Sequence, residues 1–297
     1  MMKIAFVGLG NMGGPMAANL VKAGRQVCGY DLAPTLCAAA ARSGASIAPS
    51  AESAARGADV ILTMLPGGAE VLSVWTKLLP QAAEGALCID CSTIDIASAR
   101  EAHGRARQAG ALSVDAPVSG GVGGARAGTL SFMCGGDPEA IAKATPILAD
   151  MGKTIIACGG AGLGQAAKIC NNMMLGATMI VTCEAFALAE KLGLTPQALF
   201  DVASVSSGQS WSLTSYCPAP GLTPAAPAND GYKPGFMAAL MLKDLQLAQQ
   251  AAASTGATTP LGALAAQLYA LYVASGEGAS DFSGIIRTMQ GEPADRA

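Results

Sequence analysis

Lys168 is the residue best placed to move a proton. It follows the glycine run Gly160-Ala161-Gly162-Leu163-Gly164 in surroundings almost free of other charge, and Asn171 and Asn172 come three and four residues later. That spacing sets all three on one helix face. A helix N-terminus and partial burial both disfavour an ammonium, so the expectation is a lysine pKa lowered toward the range of a general base. The plainer alternative is a lysine snorkelling from a buried helix while the asparagines satisfy nearby backbone. Other bases are scarce. The single histidine, His103, lies in Arg100-Glu101-Ala102-His103-Gly104-Arg105, which reads as a solvated helix face. With a single histidine in the chain a histidine-built metal site is excluded, and no metal site is expected.

Two further groups could hold a substrate. The glycine turn Ser119-Gly120-Gly121 offers backbone N–H groups and a hydroxyl, enough for a carboxylate without an arginine; as glycines continue at Gly123-Gly124, an ordinary turn is the alternative. Lys243-Asp244 is an isolated charge pair in an apolar helical stretch. Adjacent helix residues do not face each other, so each is expected to need its own partner, unless the pair is simply a solvated stripe.

A nucleotide signal stands at the start of the chain. The apolar run Lys3-Ile4-Ala5-Phe6-Val7 leads into Gly8-Leu9-Gly10-Asn11-Met12-Gly13 and then a helical pattern. In such a turn the first glycine permits the bend, the second lets a pyrophosphate approach, and the third lets helix and strand pack closely. The helix N-terminus supplies free N–H groups and the positive dipole end. The pattern alone is weak, since a ligand-free strand-to-helix turn looks the same. A second apolar run, Gln26 to Tyr30, ends at Asp31, about 20 residues on, where ribose hydroxyls would be held. A carboxylate there would repel a 2′-phosphate and favours NAD over NADP.

These residues need a scaffold that brings strand ends together. Apolar strands at 58–65, 86–91, 111–115, 130–136 and 154–157 alternate with helical patterns, which predicts a mostly parallel sheet with helices on both faces. Leu65-Pro66, Thr93 and Ser119-Gly120-Gly121 all fall at carboxyl ends of strands, where such sheets bind ligands. From Leu163 to Lys191 a helical run of about 43 Å is apolar nearly all round and predicts burial between two bodies rather than on one surface. Helices are then expected near Pro196, capped by Thr195, and near Met237 and Leu261, with no strong strand signal. The expected division is a Rossmann-type domain over 1–162, a long connecting helix over 163–192 and an all-α domain over 193–297. A net charge of -3 argues against nucleic acid or an anionic membrane as partner. Asn171, Asn172 and Glu184 interrupt the long apolar run and argue against a membrane span. Nine scattered cysteines, mostly in apolar runs, suit reduced thiols in a cytosol-like compartment, the cytoplasm or the mitochondrial matrix.

In combination, four blocks resemble the β-hydroxyacid dehydrogenase family in order: Gly8 to Gly13 with Met16-Ala17-Asn19-Leu20; Asp115-Ala116-Pro117-Val118-Ser119-Gly120-Gly121 with Ala127-Gly128; Gly162-Leu163-Gly164 with Lys168 and Asn172; and Lys243-Asp244-Leu245. Gln165 to Asn172, and Ser206 to Ser212 with Tyr216 to Gly221, resemble its 3-hydroxyisobutyrate branch. The resemblance implies Lys168 as acid/base, Ser119, Gly120 and Gly121 as the carboxylate grip, and Asn172, with Asn171, as orienting the substrate. It implies that Leu65, Pro66 and Thr93 line the NAD cofactor, that Lys243 reaches it, and that Asp244 pairs with Lys168. Trp211 and Phe236 are the implied apolar walls for a substrate methyl group. The implied activity is NAD-dependent oxidation of 3-hydroxyisobutyrate to methylmalonate semialdehyde in valine breakdown, by a homodimer or homotetramer. Serine, 3-hydroxypropionate and glycerate are the neighbouring substrates, and a non-catalytic dinucleotide-binding module is the alternative from another class.

Overall fold

In the computed structural model, which describes residues 2–291, the chain forms two compact units that part between Lys168 and Ile169. The first unit carries nine strands: β1 Lys3–Val7, β2 Gln26–Tyr30, β3 Ser46–Ile47, β4 Val60–Thr63, β5 Leu87–Asp90, β6 Leu112–Asp115, β7 Val118–Ser119, β8 Leu130–Gly136 and β9 Gly152–Gly159. Its helices are α1 Gly13–Lys22, α2 Pro34–Arg42, α3 Ala51–Ala55, α4 Gly68–Leu78, α5 Ile96–Gln108, α6 Gly121–Ala127 and α7 Pro138–Leu148. The sheet runs β3-β2-β1-β4-β5-β6-β8-β7, with β9 on β8. Strands β1 to β6 pair in parallel; β8 runs antiparallel to β6 and β7 and parallel to β9.

The two-residue strand period sorts side chains onto the two faces. Ile4, Phe6, Val60, Leu62, Leu87 and Ile89 join one core with Met16, Leu20, Ala144 and Ile147 from α1 and α7. Their neighbours Ala5, Val7, Ile61 and Cys88 join the other, with Ala54, Val71, Trp75 and Ala102 from α3, α4 and α5. Strands buried on both faces explain the near-continuous apolar runs. The two-residue strands β3 and β7 are too short to leave such a run, and the sequence reading missed them.

Helix α8, Leu163–Lys191, starts in the first unit and continues into the second. The second unit is otherwise helical: α9 Pro196–Ala203, α10 Trp211–Thr214, α11 Ala238–Thr255, α12 Pro260–Ala274 and α13 Ile286–Gln290. Thr195 caps α9 through the Ala198 N–H, with Pro196 at the first helical position. The second core gathers Met179, Cys183 and Phe186 of α8 with Met241 and Leu245 of α11 and Tyr269 of α12. Gly176 lies against α11: a Cβ there would stand 3.1 Å from the Leu245 side chain. Met174, Val181 and Leu188, spaced seven apart, are exposed in the single chain. All nine cysteines are free thiols.

Candidate active site

The carboxyl ends of five strands lie side by side. Tyr30 pairs with Val7, Val7 with Thr63, Thr63 with Asp90, and Asp90 with Asp115. The loops that leave this row carry Asp31, the turn Gly8 to Gly13, Leu65-Pro66, Thr93 and Ser119-Gly120-Gly121. Within the first unit, one edge therefore presents every candidate cofactor residue and the candidate anion turn.

The three glycines of the first turn differ in what surrounds them. Gly8 has a left-handed φ of 96°, and a Cβ there would stand 2.1 Å from the Met64 carbonyl oxygen. A Cβ on Gly13 would stand 1.9 Å from the Gly8 carbonyl oxygen. Around Gly10 nothing lies within 4 Å of that position, so protein packing places no demand on it. Among the three, the one glycine the fold does not require is the one a pyrophosphate would approach. Leu9 is buried, Asn11 is exposed and Met12, the N-cap of α1, is half-buried. No side chain caps α1 and no acid stands in its first turn, which leaves its N–H groups available to an anion. Gly10→Ala is expected to keep the wild-type thermal midpoint but bind NAD at least about tenfold more weakly, since close backbone approach is lost. Gly13→Ala should instead lose about 1–3 kcal/mol of stability through overpacking. Parallel thermal melts and NAD titrations check both; a Gly10→Ala protein with unaltered NAD affinity would remove the turn from the site.

Asp31 ties this turn to the end of β2. Its Oδ2 accepts the Leu9 N–H at 2.7 Å and its Oδ1 the Ala33 N–H at 2.9 Å. A carboxylate has about four lone-pair sites, so both oxygens can still accept ribose hydroxyls. Leu65 is fixed from beneath: its N–H donates to Ser92 Oγ at 2.8 Å, and Ser92 Oγ donates to Asp90 Oδ1 at 2.6 Å. Thr63 Oγ1 donates to the same oxygen at 2.7 Å and receives the Trp75 indole N–H at 3.2 Å. Burial pushes the Asp90 carboxyl up to about 6, against the lowering effect of these donors. Pro66 is exposed at the rim and Thr93 is half-buried.

Ser119 ends β7, and Gly120 and Gly121 follow with φ of 123° and 58°, both left-handed. Gly120 is the N-cap of α6, whose first turn has no side-chain cap. The far end of α6 is held by Asn19, whose Nδ2 donates to the Ala125 carbonyl at 2.7 Å beside Gly128. Two blocks that are distant in sequence, Asn19 and Ala127-Gly128, thus meet to set the anion turn.

The start of α8 is bound to the same edge. Asp115, 2% exposed, accepts the Gly162 N–H on Oδ1 and the Gln165 N–H on Oδ2, both at 2.9 Å. His103 Nε2 lies 2.8 Å from Asp115 Oδ1, and its Nδ1 lies 2.7 Å from Ser113 Oγ. The reading of His103 as part of a solvated face is therefore wrong: it is buried beside Ala99, Ala102 and Ala106. The signal that could have found it is phase, because His103 shares the three- and four-residue spacing of those alanines. Lys168, one turn beyond Gln165, is buried.

Asn172 is buried and its Nδ2 donates to Asp244 Oδ2 at 2.6 Å, while Asn171 is exposed and donates to Asn172 Oδ1 at 3.0 Å. The two asparagines thus differ in burial, and only Asn172 reaches α11. Lys243 Nζ lies 3.6 Å from Asp244 Oδ1, an ion-pair distance, while Asp244 has a partner of its own in Asn172. Elsewhere in the second unit Trp211 stacks on Tyr216 with ring centroids 4.9 Å apart, Tyr216 on Phe282 at 5.4 Å, and Phe236 meets Phe282 edge-on. The hub of this aromatic group is Asp281, which the sequence reading did not single out. It is fully buried and accepts the Tyr216 hydroxyl and the Gly235 and Phe236 N–H groups on Oδ2, and the Ser283 N–H and hydroxyl on Oδ1. Burial and this carboxylate push the Tyr216 phenol well above its usual range, so it remains a donor. Among the described residues no cluster of histidine, cysteine and carboxylates could hold a metal ion.

Comparison with known proteins gives two family matches. Residues 3–160 match the NAD-binding domain of 6-phosphogluconate dehydrogenase, and residues 162–289 match the NAD-binding domain of NADP-dependent 3-hydroxyisobutyrate dehydrogenase. A 3-hydroxyisobutyrate dehydrogenase of Pseudomonas aeruginosa is 50% identical, with 98% of this chain and all of that protein covered. An NAD-dependent L-serine dehydrogenase of the same organism is 47% identical over 95% of this chain and 96% of that one. The solved structure of a Mycobacterium tuberculosis 3-hydroxyisobutyrate dehydrogenase with L-serine has a TM-score of 0.94 and 52% identity, covering 98% of this chain and all of that one.

Proposed function

Because the chain belongs to the β-hydroxyacid dehydrogenase family and is an NAD-dependent oxidoreductase of that kind, we propose that it oxidises 3-hydroxyisobutyrate to methylmalonate semialdehyde, as a step of valine breakdown. The observation that carries this reading is the common edge: the glycine turn, Asp31, Thr93 and the Ser119 loop follow one row of strand ends, and the start of α8 is anchored to it through Asp115. NAD, when bound, supplies the hydride acceptor. Gly8 to Gly13 and Asp31 suit that dinucleotide, with open space at Gly10 for phosphates and spare lone pairs at Asp31 for ribose hydroxyls. The Lys168 amine takes the proton of the primary hydroxyl as hydride leaves the same carbon, so alcohol becomes aldehyde with one proton on the lysine. Ser119, Gly120 and Gly121 grip the carboxylate. Asn172 orients the substrate and is itself held by Asp244; Lys243 serves the cofactor, and Trp211 and Phe236 wall the methyl group.

A second reading, L-serine as substrate, is favoured by the 47% identical L-serine dehydrogenase. The two molecules share the hydroxymethyl and carboxylate groups and differ at C2, methyl against ammonium. A methyl is worth about 1–3 kcal/mol in an apolar pocket, whereas a desolvated ammonium needs a hydrogen-bond acceptor or an aromatic face turned toward it. The reading includes a homodimer or homotetramer, supported by the exposed stripe Met174, Val181 and Leu188. It includes neither nucleic acid nor membrane as partner. Although α8 is long and apolar enough to span a bilayer, it spends buried polar residues such as Gln165 and Asn172 inside the protein.

The test is a panel of 3-hydroxyisobutyrate, L-serine, 3-hydroxypropionate and glycerate with NAD and NADP. The expected result is the highest kcat/KM for 3-hydroxyisobutyrate with NAD, by about 10- to 200-fold if the methyl pocket decides. A higher kcat/KM for serine would replace the first reading with the second. A preference for NADP would undo the role given to Asp31.

A further inference from the structure

Five of the described helices that need an N-terminal acceptor take it from their own sequence: Ser50, Asp95, Thr195, Ser210 and Asp281 are local caps. Helix α8 does not. Its cap position is Gly162, and the acceptor is Asp115, 47 residues away at the end of β6. Such an arrangement demands close approach: a Cβ on Gly164 would stand 2.2 Å from the Met133 carbonyl oxygen, and one on Gly135 would stand 2.5 Å from Asp115 Oδ1. The third residue of the helix adds a second tie. Gln165 is fully buried; its Oε1 accepts the Ile94 N–H at 3.1 Å and its Nε2 donates to the Ser92 carbonyl at 2.8 Å. These two backbone groups flank Thr93. Ser92 is in turn held by Asp90 and holds the Leu65 N–H. One buried polar chain thus runs from Leu65 through Ser92 and Gln165 to Asp115 and His103.

A fully buried amide that spends both ends on the backbone of a single loop is costly unless satisfied, and its satisfied geometry fixes both partners. We infer that Gln165 and Asp115 are positioning residues that clamp the first turn of α8 to the loop Ser92-Thr93-Ile94, so that Lys168 and Thr93 are held as one rigid body. This rests on the reading of Lys168 as the acid/base and of Thr93 as a cofactor contact. Gln165 touches neither substrate nor cofactor in this account; it acts through the backbone it holds. Hydride and proton leave neighbouring atoms of one substrate, and the groups that receive them must keep register. A misplacement of about 1 Å costs on the order of 100-fold in rate.

The test uses Gln165→Met, which keeps chain length and volume but loses both hydrogen bonds, with Asp115→Asn as a second variant that keeps the volume and one acceptor oxygen. Hydrogen exchange and steady-state kinetics are measured on the full chain. In Gln165→Met the backbone amides of residues 92–95 and 162–167 are expected to exchange at least about tenfold faster together. Those of β1 and β4 should be unchanged. The kcat should fall by roughly 10- to 100-fold with KM and NAD affinity preserved. Asp115→Asn should loosen 162–167 and lower kcat in the same sense. Faster exchange in only one of the two segments, in neither, or a raised KM with kcat kept would overturn the clamp. Failure of the underlying reading looks different: Lys168→Ala would keep its turnover while Gln165→Met still loosened both segments.

Discussion

Lys168→Ala is expected to lose about 10²- to 10⁴-fold in kcat, the range that a positioned general acid/base contributes, while NAD binds as in the wild type. The lysine is buried at the start of α8, whose first turn Asp115 and Gln165 tie to the sheet and to the loop around Thr93. Truncating the side chain should therefore leave the helix in place and remove only the proton acceptor. Lys168→Arg sharpens the test. A guanidinium keeps the positive charge but cannot give up its proton in a protein, so it cannot serve as a base. If the role is proton transfer, both variants lose kcat; if the lysine only attracts a carboxylate, the arginine variant retains it. Steady-state kinetics with 3-hydroxyisobutyrate, beside an NAD titration, separates these outcomes, and turnover surviving in the alanine variant would reject the assignment.

The largest effect on stability is expected at Asp281. Five donors converge on its two oxygens in a fully buried setting, and Asp281→Ala leaves the Tyr216 hydroxyl and the N–H groups of Gly235, Phe236 and Ser283 without their acceptor. Each buried donor left without its acceptor costs about 1–3 kcal/mol, so the loss should be a large part of the roughly 5–15 kcal/mol typical of a folded protein. Asp281→Asn, which keeps one acceptor oxygen, should lose less. Denaturant unfolding gives both values, and an alanine variant as stable as the wild type would show that the hub does not hold this unit together. The functional corollary concerns Trp211 and Phe236, the proposed walls for the substrate methyl group. Tyr216, on which Trp211 stacks, and the backbone of Phe236 both hang on this carboxylate.

What could be read from the sequence was local or periodic. Glycine spacing and an apolar run place the first strand and turn, and continuous apolar runs place β4, β5, β6 and β8, because strands covered on both faces have no polar side to interrupt them. Thr195-Pro196 marks the start of α9 because cap and first-turn chemistry are encoded in adjacent residues. The missed features depend on partners far away along the chain. His103 looks solvated among arginines and a glutamate, yet its polar atoms are taken up by Ser113 and Asp115 on the neighbouring strand. Asp281 has no distinguishing neighbourhood in sequence, since three of its five donors lie 45 to 65 residues away. Gln165 was noticed as part of a resembling block but not as a side chain with a task. Its partners, Ser92 and Ile94, stand 73 and 71 residues earlier.

The remote cap on α8 also bears on how the chain folds. A helix with a local Ser, Thr or Asp cap carries its own start signal and can settle its first turn without help. The first turn of α8 has glycine at its cap and takes its acceptor from β6, so the boundary at Leu163 is marked by a tertiary contact and not by a local side chain. Forming that contact requires closing a loop of about 50 residues, which is slower and entropically costlier than any local cap. The segment from Leu163 onward thus has helical propensity of its own, while the acceptor for its first turn is supplied from the nucleotide-binding sheet.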